Sequence, residues 1–278
     1  MSFRLIETLS LAGKIPNEDA FAFDAHAALV MDGTTPLGET LMPGASDAAW
    51  LAQFGTRRLM AHLKDGDAPK DALTHALADA QKSFSALSRR PVREKWETPY
   101  ATMMLVVERG ADLEFLWFGD CSALISKTGA CEIIGDGFDR RGEESERVRR
   151  LTKEKNLSPA PDLNRPEILS ALRAARNKVG SGSYWLFGPD PRAAAHVRRH
   201  AVKNKAGALL LLASDGFMAL ATDYGAYDAA GLVAAAKAKG LARLGEELRA
   251  IEEEDALGEK FPRFKKSDDA TALLLEVI

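Results

Sequence analysis

The chain has 278 residues, 46% of them hydrophobic and 28% charged, a balance that excludes a largely disordered polymer. Its formal charge of -3 leaves no basic excess to displace counterions from phosphates, so nucleic-acid binding is not expected. Two cysteines, Cys121 and Cys131, without a CxxC pair or a Cys/His cluster at zinc spacing, imply neither a disulfide framework nor a zinc site.

The first segment, MSFRLIETLS, lacks the basic-then-apolar pattern of a secretory signal. It reads instead as a strand over residues 3–9, and further short strands follow at 21–23 and 27–31, each bounded by Gly, Pro, Asn or Asp. Ser46 is a suitable N-cap for a helix over 47–63. Leu73, Leu77, Ala80, Phe84 and Leu87 recur at steps of three and four, which predicts an amphipathic helix over 70–88 that Pro91 closes.

Strands at 102–107 and 113–118 flank the turn residues 108–112, and strands at 122–126 and 131–134 flank a turn at Thr128-Gly129. From 136 to 205 the chain becomes charged and proline-containing, with short helical patterns near 144–153 and after Pro166. This stretch reads as an inserted flap. Within it, the basic cluster from Arg140 to Lys155 is interleaved with Glu143, Glu144, Glu146 and Glu154, as on a solvated helix face.

Residues 207–213 form a buried strand, 232–253 are mostly helical, and 270–278 form a closing apolar strand. The longest apolar run, 206–213, is far too short to span a bilayer. The expectation is a single domain over 1–278 of α+β class, with no membrane association and a cytoplasmic location.

Aspartates at strand ends carry the chemistry. Asp19 stands just before a strand, Asp32 ends one, Asp120 and Asp215 each follow one, and Asp268 and Asp269 precede the last. Carboxylates against apolar strands are costly to desolvate without a partner, and few basic residues adjoin them in sequence. All-oxygen donors favour Mg²⁺ or Mn²⁺ over Zn²⁺. The Asp-Gly steps at 32–33 and 215–216 allow a close carbonyl approach to a cation or an unusual turn.

In order, Asn17-Glu18-Asp19-Ala20, Met31-Asp32-Gly33, Ala101-Thr102, Phe118-Gly119-Asp120-Cys121, Ala213-Ser214-Asp215-Gly216 and Asp268-Asp269-Ala270-Thr271 resemble the signature blocks of the protein phosphatase 2C family. The resemblance runs over nearly the whole chain. It implies a four-layer α-β-β-α sandwich, two antiparallel sheets flanked by helices, with a metal centre at one end. It further implies that Asp32 bridges two ions, Mn²⁺ or Mg²⁺, with the Gly33 carbonyl on one of them. Asp215 and Asp268 complete the other, and Asp19, assisted by Glu18, holds metal-bound water. Asp120 matches a third, weaker position, and Lys14 sits where the family has a phosphate-gripping arginine. Lys14, Asp32 and Asp215 are therefore the expected catalytic residues.

The implied reaction is attack of a metal-bridging water on a phosphoserine or phosphothreonine ester of a protein, by a monomer. Several positions depart from the family pattern. Lys14 replaces a bidentate fork by a point charge. The block Gly33-Thr34-Thr35-Pro36-Leu37-Gly38 has no histidine for a leaving group, and His26 reads as a loop residue. Cys121 stands where the family has serine and reads as a small buried residue. Ala219 stands where an aspartate often completes the third site, so a third ion is expected to be weak or absent. The glycine- and aromatic-rich run 180–190 reads either as a substrate-facing loop or as a strand packed on the sandwich. A weakly active or inactive phosphoprotein-binding module, and hydrolysis of a small phosphorylated metabolite, are the alternatives.

Overall fold

Strands apolar on both faces must be covered on both sides, and the chain meets that demand with four layers. The computed structural model describes residues 2–139, 142–155, 160–203 and 206–278. One sheet has the order β1 (Phe3–Leu11), β10 (Ala270–Val277), β9 (Leu209–Ala213), β6 (Ser122–Lys127), β7 (Ala130–Ile134). The other runs β2 (Asp19–Phe23), β3 (Ala27–Gly33), β4 (Ala101–Arg109), β5 (Asp112–Phe118), β8 (Arg198–Lys203). Every pairing is antiparallel.

Period-two alternation sorts the side chains. Ala28, Val30, Met104, Val106, Leu210, Leu212, Leu273 and Leu275 fill the layer between the sheets. Their neighbours Leu29, Met31, Met103 and Leu105 point outward onto helices α1 (Asp47–Lys64) and α2 (Pro69–Leu87). On the opposite side Leu211, Ala213, Ala272 and Leu274 meet α5 (Asp215–Thr222), α6 (Ala229–Lys239) and α7 (Leu241–Glu254). This is the α-β-β-α sandwich that the resemblance implied. Ser46 caps α1, accepting from the Ala49 amide at 3.3 Å, as its position predicted.

Three elements depart from the sequence reading. Strand β8 lies within 136–205, yet it is the edge of the second sheet. Only its Val202 is buried, so its alternation is mute and its charged residues suit an exposed edge. Helix α5 begins on an Asp-Gly pair that signals a turn, but Phe217, Met218 and Leu220 bury it almost completely. The stretch 232–253 is two helices because Gly240, at φ +87°, turns the chain between α6 and α7. The Glu7 carboxylate then accepts from the first amides of α7, Leu241 at 2.8 Å and Ala242 at 3.1 Å.

Helices α3 (Glu143–Lys155) and α4 (Pro166–Arg176) form a small outlying cluster in which Val148 and Ile168 pack on Phe264. The charged run is thus more than a solvated face. Arg140, and the side chains of Glu143 and Glu144, fall outside the described residues. In the run 180–190, Phe187 is fully buried and bridges Ala101, while Tyr184 is exposed, so it divides between the two readings.

Leu212 lies on the central strand of its sheet with no exposed surface. Leu212→Ala is expected to cost about 2–5 kcal/mol in urea unfolding, because the interlayer cannot collapse around the lost methyls. A loss below about 1 kcal/mol would show that the two sheets do not share a tightly packed layer.

Candidate metal centre

Asp19 opens β2 and Asp32 stands one residue from the end of β3, and the register pairs them directly across the two strands. Opposed like charges destabilise a sheet unless a cation lies between them. Asp120 reaches the same end because Gly119, at φ +73°, turns the chain between β5 and β6. Asp215 is delivered by β9 as the first residue of α5. Asp32, Asp120 and Asp215 each place a carboxylate oxygen within 4.8 Å of the other two. Asp268, just before β10, adds its charge to those on Asp19, Asp32 and Asp215.

Two hydrogen-bonded anchors hold these groups. The Ser214 hydroxyl donates to Asp19 Oδ2 at 2.8 Å and accepts from the Thr271 amide at 3.0 Å, which ties β2, β9 and β10 together. Asp269 accepts from the Gly13 amide at 2.8 Å and the Glu18 amide at 2.7 Å, fixing the loop that carries Asp19. The two glycines are required by close packing, and neither has a positive φ. A Cβ on Gly33 would lie 2.7 Å from the carbonyl oxygens of Ala48 and Glu18. One on Gly216 would lie 2.0 Å from the Asp269 carbonyl oxygen.

The electrostatics show the cost of this assembly. Burial pushes the Asp19 carboxyl up to about 7, against hydrogen bonds from Ser214 and Thr271, with Asp268 and Asp269 adding to the rise. Burial, then the neighbouring aspartates, push Asp32 and Asp215 well above the carboxylate range. Both residues are half-buried. Lys265 places its ammonium 2.5 Å from Asp268 Oδ1. Its own burial works against the charged form, but Asp268, Asp32 and Asp215 outweigh that and hold it firmly protonated.

A cleft of about 770 Å³ opens beside the cluster. Asp120, Asp215 and Asp268 line it, while Arg147 and Arg150 of α3, with Arg263 and Lys265, supply positive charge to its walls. Tyr184 and Leu186 of the 180–190 run complete one side, and Ala219 presents an apolar surface on α5. Cys121 is buried as expected, its Sγ 3.1 Å from Thr102 Oγ1, and burial followed by the nearby Asp32 raises its thiol.

Of the residues singled out in the sequence, Asp32, Asp120 and Asp215 converge, with Asp19 and Asp268 beside them. Glu18 and Lys14 stand apart. The Glu18 carboxylate accepts from Ser46 Oγ at 2.5 Å and Thr35 Oγ1 at 3.1 Å, and Lys14 Nζ lies 3.1 Å away. Lys14 is not among the residues lining the cleft. The Gly33 amide donates to the Glu18 carbonyl at 3.0 Å, so Gly33 abuts this second group. Sequence reasoning missed Lys265, Ser214 and the α4 arginines. Arg173 donates to the Leu37 carbonyl and stacks 4.2 Å over Trp96, while Arg176 donates to the Thr35 carbonyl at 2.7 Å. Only Ser214 carried a signal, as an N-cap residue after an apolar strand.

The donor set suits a hard divalent cation. Asp19 Oδ1 is buried with no hydrogen-bond partner, and the ligating groups nearby are all carboxylate oxygens.

Comparison with known proteins agrees with this fold. No curated protein sequence matches at a significant level. Among solved structures, the serine/threonine phosphatase PstP/Ppp of Mycobacterium tuberculosis superposes with a TM-score of 0.58 at 16% identity, covering 100% of this chain and 99% of that one. The PstP catalytic domain in complex with two manganese ions gives 0.57 at 17%, again over 100% and 99%. PppA, a regulatory component of the type VI secretion system in Pseudomonas aeruginosa, gives 0.57 at 18% with the same coverage. The model for protein phosphatase 2C matches residues 9–249, so the chain belongs to the protein phosphatase 2C family of serine/threonine phosphatases.

Proposed function

We propose that this chain hydrolyses phosphoserine and phosphothreonine esters in proteins, using two divalent cations, Mn²⁺ or Mg²⁺, at the aspartate cluster. The observation that carries the reading is the convergence of Asp32, Asp120 and Asp215 beside Asp19, whose buried Oδ1 has no hydrogen-bond partner. Asp32, with the Gly33 carbonyl, Asp215 and Asp268, would hold the cations, and Asp19, with Glu18 beside it in the chain, would position the water. Cations bound there lower the pKa of a water and neutralise charge on the transferring phosphoryl group.

The protein's own groups do the positioning. Ser214 orients Asp19 by holding Oδ2, which leaves the buried Oδ1 without a hydrogen-bond partner. Asp269 locks the loop through two backbone amides, so the carboxylates need little reorganisation when substrate arrives. Arg147 and Arg150 line the cleft beside the cluster and suit the dianionic phosphate and acidic flanks of a phosphopeptide. Lys14 serves as the phosphate-directed cation if its pair with Glu18 opens. Asp120 serves a third, weaker ion, with Ala219 offering no ligand beside it. A cytoplasmic monomer forming a single domain, with the outlying helices α3 and α4 of the 136–205 stretch as its flap, completes the proposal. It is compatible with the finding that no helix among the described residues is long and apolar enough to cross a membrane.

The decisive assay measures hydrolysis of p-nitrophenyl phosphate and a phosphothreonine peptide with and without Mn²⁺. Asp32→Ala, Asp215→Ala and Asp268→Ala are each expected to lower turnover by about a hundredfold or more while retaining the fold. Near-normal turnover in all three purified variants would overturn the assignment. Metal binding without turnover in the parent would point to a phosphoprotein-binding module.

Lys265 supplies a separate prediction. Its ammonium occupies Asp268 Oδ1, and a cation binding at that oxygen must break the pair. Lys265→Met is therefore expected to tighten Mn²⁺ binding several-fold by calorimetry. Unchanged or weaker binding would show that the pair does not compete with the metal.

A further inference from the structure

A second cluster of ligating side chains lies on the α1–α2 turn, and its donor chemistry differs from that of the aspartate centre. His62 is in the last turn of α1, Asp67 is in the connecting loop, and His75 follows in α2. Each offers one ligand atom, and the three atoms lie within 4.8 Å of one another. His62 Nδ1 is 3.4 Å from Asp67 Oδ2, and His75 Nδ1 is 2.7 Å from the same oxygen. The imidazole rings are tilted, with centroids 5.2 Å apart.

Local backbone chemistry builds this arrangement. Asp65 ends α1, and Gly66 at φ +97° reverses the chain. The Asp67 amide then donates to the His62 carbonyl at 3.1 Å, folding Asp67 back over the histidine. Pro69 starts α2, whose second turn brings His75 to the same point. Two of the three groups therefore stand on packed helices and the third on a short, hydrogen-bonded turn.

The outer contacts add a separate observation. His62 Nε2 lies 2.9 Å from Asp79 Oδ2, and Arg58 Nε donates to that same oxygen at 2.6 Å. A histidine that donates one ring N–H to a carboxylate presents the lone pair of its other nitrogen, the arrangement found around metal-ligating imidazoles. Here the other nitrogen is Nδ1, the atom that faces Asp67. The His62 side chain is only 18% exposed, whereas that of His75 is 54% exposed, so the cluster is anchored on one side and open to solvent on the other.

We propose that His62, Asp67 and His75 bind a borderline transition-metal ion of the Zn²⁺ class, at a site distinct from the aspartate centre. Two imidazoles and a carboxylate suit Zn²⁺, whereas Mg²⁺ and Mn²⁺ prefer all-oxygen shells. Bond lengths of about 2.0–2.2 Å to a tetrahedral ion put ligand atoms about 3.4 Å apart. The His62–Asp67 pair already has that spacing. The His75–Asp67 pair widens by about 0.7 Å as its hydrogen bond is exchanged for coordination. Bound to the folded state alone, the ion stabilises the α1–α2 hairpin, which is the outer layer over β3 and β4.

The test titrates the full-length protein with Zn²⁺ against a chromophoric chelator, in millimolar Mg²⁺ to occupy the aspartate centre. The parent is expected to bind one Zn²⁺ that persists in Asp215→Ala. His75→Gln is expected to weaken that binding at least tenfold, and Asp79→Asn to weaken it about 10- to 100-fold through the lost outer contact. His75 is half exposed, so His75→Gln is expected to unfold at the parent's temperature in chelator while losing the parent's Zn²⁺-dependent rise in Tm. The proposal is overturned if His62→Gln and His75→Gln both bind Zn²⁺ as the parent does. Loss of the bound equivalent in Asp215→Ala alone would also overturn it. Neither result bears on phosphatase activity, which is read separately.

Discussion

Repulsion among carboxylates gathered at one end of two sheets is the constraint around which this protein is built. Asp19, Asp32, Asp120, Asp215 and Asp268 come from separate parts of the chain, and each is held where water is partly excluded. Taking a charge out of water costs several kcal/mol even after the surroundings relax. No local sequence preference would gather such groups, so the remainder of the fold must hold them together against their mutual repulsion. The four-layer core does so by fixing β2, β3, β9 and β10 through their apolar faces. Lys265, the Ser214 hydroxyl between Asp19 and Thr271, and the Asp269 carboxylate on the Gly13 and Glu18 amides make up the local part of that restraint.

This division of labour explains where precision resides. The backbone positions of the aspartates follow from strand register, in which Asp19 faces Asp32 and Asp32 faces Thr102. A register slip by one residue would turn every alternating side chain to the opposite face and disperse both the cores and the site. Glycine appears at positions 33 and 216 for the same reason. The backbones carrying the ligands approach so closely that a methyl group would collide with a neighbouring carbonyl.

Most of the framework was legible in the residues because burial and periodicity coincide. The α2 stripe, the hairpins and the closing strand announce themselves through apolar spacing, and the order of the acidic blocks marked the family. What stayed hidden depended on contacts distant in sequence. Edge strand β8 has one inward side chain, and α5 begins on a turn signal, so local patterns misdescribe both. Lys265 precedes Asp268 by three residues, but nothing in that spacing marks its ammonium as facing the cluster. Lys14 is placed by the sequence near the acidic loop, and the structure gives it a carboxylate partner in Glu18. The His62–Asp67–His75 grouping was equally silent, because its spacing matches no common ligand signature and depends on the reversal at Gly66.

The grip of α4 on the segment after Asp32-Gly33 has a mechanical consequence. Arg173 and Arg176 hold the carbonyls of Leu37 and Thr35, and the Thr35 hydroxyl donates to Glu18, which also receives Ser46 and Lys14. A displacement of α4 must either carry this segment along or break those bonds. The outlying helices and the loop bearing Asp19 therefore share one hydrogen-bonded linkage. By thermodynamic reciprocity, whatever orders Glu18 biases the position of α4, and a protein docking on α4 biases Glu18 by the same free energy.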